Sequence, residues 1–265
     1  MKSLLALVAL AVAFAQAPKF DVVSIKPSHP DVGSGVSSRG GPGTRWPGVW
    51  TCQNMSLHNI VWIAFNLRSQ QLVAPDWMHE PRFDITVKIP EATTREQFYA
   101  MFQDMLADRF GLKVHRESKE VQGYELTVGK NGPKFRESTS EPPQGPPPVP
   151  QRPTLGADGF PVVTPGSNGV NITNNRARGQ WLRAKIDRLV RDLDNAVDKP
   201  VIDATGLTGL YDLALYWVVD PMRPEAGGPT IFSALQDQLG LKLESKKVML
   251  PVVVVDHAER VPTEN

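Results

Sequence analysis

The chain has a single cysteine, Cys52, in 265 residues. No internal disulfide can form, so the folded core must suffice by itself even in an oxidising compartment. Charge of either sign is missing in excess: 29 Lys and Arg face 28 Asp and Glu, a formal net charge of +1. Such a balance sets up no global field toward nucleic acid or anionic lipid. Beyond Phe14 no apolar run approaches the roughly 18 residues of a membrane-spanning helix, so no stable membrane insertion is expected. The five histidines (29, 58, 79, 115 and 257) show no His-x-x-x-His or His-Glu-x-x-His spacing, which leaves a metal site without local support and implies no cofactor. Ser24, Ser56 and Ser233 lie outside any Gly-x-Ser-x-Gly elbow. Gly40-Gly41-Pro42-Gly43 lacks the Gly-Lys-Ser/Thr ending of a phosphate cradle and reads as a plain loop.

What is present begins at the N-terminus. Met1-Lys2-Ser3 is a short basic start and Leu4 to Phe14 an apolar run. The small residues of Ala13-Phe14-Ala15 and Ala15-Gln16-Ala17 fit cleavage sites. Residues 1–17 are expected to be a signal peptide, and the mature protein periplasmic or secreted. Cys52, in Val49-Trp50-Thr51-Cys52, reads as a buried strand residue without the cationic surroundings of a reactive thiol.

The chain then repeats itself. Phe83-Asp84-Ile85-Thr86-Val87 is echoed by Tyr211-Asp212-Leu213-Ala214-Leu215, an offset of 211 − 83 = 128. Phe110-Gly111-Leu112-Lys113-Val114 returns as Leu239-Gly240-Leu241-Lys242-Leu243, an offset of 239 − 110 = 129. A near-constant offset points to two copies of one α+β unit. We expect a first unit over 18–136, a Pro/Gly-rich linker over 137–168 and a second unit over 169–265.

Each unit reads β-α-β-α-β-β. In the first, Phe20 to Ile25 is an opening strand and Gly33 to Gly48 a mobile loop. Ser56 caps a helix with Leu57, Ile60, Val61 and Ala64 on one face. Arg82 to Ile89 is a strand. Thr94 and Gln97 form a capping box, and Gly111 ends that second helix. Leu112 to Arg116 and Tyr124 to Val128 read as a closing hairpin about a charged turn. In the second unit Gly169 to Ile172 leads into a helix with the seam Leu182, Ile186, Leu189 and Leu193. Strand Tyr211 to Val219, a helix opened by Thr230, and a hairpin of Leu241 to Ser245 with Val252 to Asp256 follow. The linker prolines (142, 143, 146, 147, 148, 150 and 153) suit a semi-extended spacer.

The order of strand, capped helix, Gly and two strands over Met105 to Val128 and Leu235 to Val255 resembles the secretin/TonB short N-terminal type of periplasmic domain. A wider resemblance rests on several marks: Phe20-Asp21-Val22-Val23-Ser24-Ile25-Lys26-Pro27-Ser28, Ala107-Asp108-Arg109-Phe110 with Leu112 and His115, Asp203-Ala204-Thr205-Gly206-Leu207-Thr208-Gly209-Leu210-Tyr211-Asp212, Gln238-Leu239-Gly240-Leu241-Lys242-Leu243, and Glu264-Asn265. Together they are similar to an uncharacterised, soil-associated bacterial family of exported proteins. Its members are sometimes fused behind membrane metallopeptidase sensors of the β-lactam-receptor type. The resemblance implies a compartment and an architecture, not a reaction.

Three residue sets remain as candidates. Asp203-Ala204-Thr205-Gly206 reads as an Asx turn, with Gly209 freeing the chain before Tyr211; an aspartic-protease loop would need a second copy, and the first unit holds Ala74-Pro75-Asp76 instead. Asp84 and Asp212 are like-placed acids with a shared structural task, such as pairing with Arg109 in the first unit, where Gln238 stands in the second. Trp46, Trp77 and Trp50 gather in the first unit, and exposed aromatics beside a loop can form a sugar or peptide platform, whereas Trp62 is placed near the helix core. The expectation is an exported, non-enzymatic binding or interaction protein whose partner is an envelope protein or a wall fragment. The alternative is a hydrolase of wall or extracellular polymer using Asp203, Asp212 and His115.

Overall fold

The computed structural model describes residues 18–28, 35–68, 70–139, 141, 154–223 and 227–263. The expected signal peptide, the linker prolines and the terminal Glu264-Asn265 lie outside these residues. The fold is mixed α+β.

The first half opens with β1 (Val22–Pro27), β2 (Ser37–Gly40) and β3 (Val49–Ser56), followed by α1 (Leu57–Ala64). Ser56 accepts the Asn59 amide and starts α1; Leu57, Ile60, Val61 and Ala64 are its buried stripe. Two-residue β4 (Leu72–Val73), a 3-10 turn over Asp76–His79 and β5 (Arg82–Lys88) lead to α2 (Arg95–Phe110). Thr94 and Gln97 satisfy each other's backbone amides at its start, and Gly111 leaves it with φ 57°. Strands β1, β5, β3 and β2 lie side by side in that order, all antiparallel. Phe98, Phe102, Leu106 and Phe110 of α2 close the first core over this sheet. Truncating Leu106, which is fully buried, to Ala would cost about 2–5 kcal/mol.

Next comes β6 (Lys113–Val128), then β7 (Gly169–Thr173), β8 (Arg176–Ala184), α3 (Ile186–Val197), β9 (Val201–Asp203) and β10 (Tyr211–Val218). α4 (Ile231–Ala234) runs on through a π turn over Leu235–Leu239, and Gly240 (φ 66°) releases the chain into β11 (Leu241–His257). Strands β10, β8 and β7 form a second antiparallel sheet. Trp181, Leu189, Leu193, Leu215 and Leu235 centre the second core.

The two halves are joined by a third sheet, ordered β4-β11-β6-β9. Leu72 runs parallel to Val253 and Val201 parallel to Tyr124. A single offset carries the first pairing onto the second, since 201 − 72 and 253 − 124 are both 129. In the central antiparallel pair Glu120 faces Met249 and Val121 faces Val248, and an offset of 128 exchanges these two pairs (120 to 248, 121 to 249). The ribbon also spans both cores, with Val114 and Val255 in the first and Leu126, Leu241 and Leu243 in the second.

Several expectations are corrected. The closing hairpins do not exist: Lys113–Val128 and Leu241–His257 are single strands paired with each other. Gly123 and Pro251 in the expected turns stay extended within these strands, and the charges around them pair across the ribbon, Lys246 with Glu125 and Lys247 with Glu120. The unit order β-α-β-α-β-β therefore does not hold. Leu182 is not part of a helix but of β8, because Asn174 and Asn175 (φ 50° and 64°) turn β7 straight back into a second strand. The described linker residues are not a free spacer. Glu137 bridges Tyr211, Ser138 donates its amide to the Leu210 carbonyl, and Phe160, 5% exposed, packs on Tyr216 at 4.8 Å beneath the Arg176 guanidinium. The Gly33 to Gly48 loop includes the ordered strand β2.

Candidate functional site

Trp50 is no platform residue. It is 5% exposed, and its ring meets Phe102 edge-on at 4.8 Å because strand alternation turns it into the first core. Trp46 is exposed on the turn before β3, beside the Ile89 end of β5, where Ile89 donates its amide to the Gly48 carbonyl. Trp77 is half-buried in the 3-10 turn before Arg82, under the Arg260 guanidinium at 4.9 Å. The two rings thus flank opposite ends of a seven-residue strand, roughly 20 Å of extended chain. They do not make one surface.

The like-placed acids do the same thing in both halves. Asp84 Oδ1 accepts the Asn54 amide at 2.8 Å, and Asp212 Oδ1 accepts the Arg183 amide at 2.8 Å. Asn54 and Arg183 are the bulged residues of β3 and β8, with φ of 51° and 47°. Each carboxylate holds a backbone donor that the bulge removes from the ladder. Arg109 reaches the Thr263 carbonyl at 3.5 Å, and Gln238 bonds both the amide and the carbonyl of Tyr216.

The acid/base set of the hydrolase alternative is not assembled. Asp203 accepts the Thr205 amide at 2.9 Å and its hydroxyl at 2.7 Å, an Asx turn that Gly206 (φ 70°) continues. Gly209 donates its amide to the Tyr211 hydroxyl at 3.2 Å. His115 Nδ1 lies 2.8 Å from Asp256 Oδ1 on the neighbouring strand. Asp203 pairs with Leu126 on β6, eleven residues from His115, or roughly 36 Å along the strand. Asp212 belongs to a different sheet and is held at its bulge. Burial pushes the Cys52 thiol up to about 12, so it is no nucleophile. Among the described residues no three His, Cys, Asp or Glu side chains gather as a metal site.

A different region gathers hollows lined by aromatic, amide and charged side chains. Three hollows adjoin along the outer faces of α1 and α3. The largest, about 590 Å³, has an apolar floor of Val170, Ile172, Trp217 and Val219 and a rim of Asn168, Asn171, Arg188, Asp192 and Asn195. A notch of about 270 Å³ shares Arg188, Asp192 and Asn195 with it and adds Arg191, Asn66, Tyr99 and Trp62. A third, of about 480 Å³, shares Trp62 and Ile63 with the notch and runs past Asn59 to Gln70, His58 and Leu72. Trp62 is therefore a wall of two hollows. It is 38% exposed, with its indole N–H tied to the Arg68 carbonyl at 3.2 Å. Its expected place near the helix core is corrected. Position 62 falls outside the stripe 57, 60, 61 and 64, and that spacing already put it on the outer face.

Behind Arg68, which lines the notch, lies a buried ion pair held from both halves. Asp194 is 1% exposed; its Oδ1 accepts the Val201 amide at 2.7 Å and its Oδ2 lies 3.2 Å from Arg68 Nη1. Burial raises its carboxyl to about 6, against the opposing pull of the Val201 amide and of Arg68 and Arg191. Arg68 also donates to the Val201 carbonyl at 2.8 Å, and Gln70 to that of Asp198 at 3.0 Å. Burial pulls His58 below the ordinary imidazole value, and its ring stacks on His79 at 4.1 Å.

Residues 58–258 match the family described as Protein of unknown function (DUF3738). The chain belongs to that family. The matched span of this DUF3738 chain runs from the start of α1 through β11, so it takes in the ribbon and the second half and leaves β1, β2 and β3 of the first half outside. No curated protein and no solved structure matches it. Among the described residues, no helix is long and apolar enough to cross a membrane.

Proposed function

We propose that this chain is an exported, non-enzymatic binding protein of the bacterial cell envelope, and that it holds an elongated wall fragment in the groove along α1 and α3. The observation that carries the reading is Trp62. A tryptophan on the outer face of a helix, bordering two hollows among Asn59, Asn66, Gln70 and Asn195, offers a flat apolar ring beside planar amides. Sugar rings present that combination in reverse, with C–H faces and hydroxyl edges. The signal-like N-terminus supports export. The near-constant offset that relates the strand pairings supports two copies of one α+β unit of the secretin/TonB short N-terminal kind. The soil-associated setting and the sensor fusions implied by the family resemblance belong to the same proposal. Binding of soluble wall fragments to the purified chain, followed by tryptophan fluorescence or calorimetry, tests it. Saturable binding that weakens in Trp62→Ala supports the reading; binding insensitive to Trp62 removes the groove from it.

The three residues of the hydrolase alternative lie apart, His115 and Asp203 at distant parts of β6 and Asp212 in another sheet.

A further inference from the structure

We propose that the notch between α1 and α3 receives the carboxylate of an acidic glycan, with Arg191 as its principal donor, Arg188 as its second, and Trp62 under the attached ring. The inference deepens the groove reading above and rests on it.

Three guanidinium groups line or floor the notch, and they differ in what they have left to give. Arg68 is committed, to the Val201 carbonyl at 2.8 Å and the buried Asp194 at 3.2 Å. Arg191 reaches Asn66 Oδ1 only at 3.5 Å, the far limit of a hydrogen bond. Arg188 approaches Asp192 Oδ2 at 3.5 Å, and that oxygen already accepts the Trp181 indole N–H at 2.7 Å. Arg188 and Arg191 are three residues apart on one helix, so their side chains share a face. A guanidinium has five N–H donors in a planar fork suited to a carboxylate or phosphate. Here two such forks border one hollow with most of their donors unengaged among the described residues.

Charge narrows the choice of anion. Three arginines line the notch with one carboxylate, Asp192, and a second carboxylate, Asp194, is buried against Arg68 behind it, which leaves a single net positive charge there. That matches a monoanion such as a uronate carboxylate and leaves a phosphomonoester dianion half-compensated, while a phosphodiester, itself a monoanion, is separated by the titration below. The surroundings choose the body that carries it. Trp62 and Tyr99 supply ring faces, Asn66 and Asn195 amides within the notch, and Asn59 and Gln70 further amides beyond Trp62. A chain of sugar rings fits this sequence of surfaces, one ring on Trp62 with its carboxylate toward α3.

The experiment titrates the chain with a tetramer of galacturonic acid and with the same tetramer fully methyl-esterified, which has the same rings and no charge. The acid is expected to bind roughly tenfold more tightly than the ester, and Arg191→Gln to bring acid and ester to about equal affinity. Trp62→Ala is expected to weaken both. Arg188→Gln is the second variant: should Arg191→Gln fail to fold, a reduced acid preference in Arg188→Gln supports the proposal and an unchanged one overturns it. Equal binding of acid and ester, both dependent on Trp62, overturns the carboxylate assignment and leaves the groove standing. A preference for a phosphodiester glycan over the acid overturns it in favour of phosphate. Binding of neither tetramer overturns it as well, and the wall-fragment titration then decides the groove by itself.

Discussion

Asp84 accepts the backbone amide of Asn54 at 2.8 Å, and the same bond recurs in the other half between Asp212 and Arg183. A β-bulge frees one amide from the ladder, and a partly buried amide without an acceptor costs about 1–3 kcal/mol. The left-handed backbone at Asn54 and Arg183 is held by that bond. Asp84→Ala and Asp212→Ala should each lower stability by about 1–3 kcal/mol in urea denaturation. The bulges sit in separate sheets, so the double variant should lose about the sum. Either substitution proving neutral would mean that the bulge is held by its strands alone.

The seam between the halves can be probed at Gly123. A Cβ there would stand 2.5 Å from the Pro200 carbonyl oxygen and 2.7 Å from a Val248 methyl. The first is backbone of the segment entering β9, and Tyr124 donates its amide to that same carbonyl. Gly123→Ala must push β9 away from β6 or lose the bond, at an expected cost of about 2 kcal/mol or more. The thermal melt should fall for both halves together, since the ribbon carries side chains of both cores. A melt unchanged by the substitution would show that β9 is not seated on β6 in solution.

How much of this was legible in the sequence depends on range. Ser56, the stripe 57, 60, 61 and 64, the Thr94–Gln97 box and Gly111 act within a few residues of themselves, and they are where the pattern puts them. The ribbon was not legible. Glu117 to Glu120 looks like a charged turn because its partners, such as Lys247, lie in the opposite half of the chain, and pairing between halves leaves no local signature. Strand β8 was missed for a related reason: Leu182 stands at helical spacing from Ile186, and only the Asn174-Asn175 turn argues against a helix there. The site divides likewise. Trp62 was within reach of helical spacing, but its convergence with Arg188 and Arg191 requires α1 and α3, helices from different halves, to meet.

Asp194 makes stability depend on pH. Its folded carboxyl titrates at about 6, above the 3.8 of a free Asp, so between these values the folded chain holds a proton that the unfolded chain has released. The contribution of this group is thus fully present below about pH 4 and is lost as pH rises through about 6. The expected loss is on the order of 3 kcal/mol. Asp194→Asn keeps an acceptor for the Val201 amide and cannot titrate. Urea midpoints at pH 4.5 and pH 7 should therefore lie closer together in Asp194→Asn than in the parent chain. An equal difference in both would assign the pH dependence to other groups.

The tryptophans separate folding from binding. Trp50 is packed among Phe98 and Phe102, and Trp50→Ala should cost about 3–5 kcal/mol of stability. Trp62 is over a third exposed, and its replacement removes chiefly the ring face and one bond to the Arg68 carbonyl. Trp62→Ala should cost no more than about 1 kcal/mol of stability and about 1–3 kcal/mol of wall-fragment binding. Trp46 is exposed too, but it stands at the far end of β5 from Trp77, with no role in the groove, so Trp46→Ala should change neither quantity. A melt and a titration on the three variants check this together. If Trp46→Ala lost binding and Trp62→Ala did not, the ligand would belong on the turn before β3, and the arginines of α3 would need another explanation.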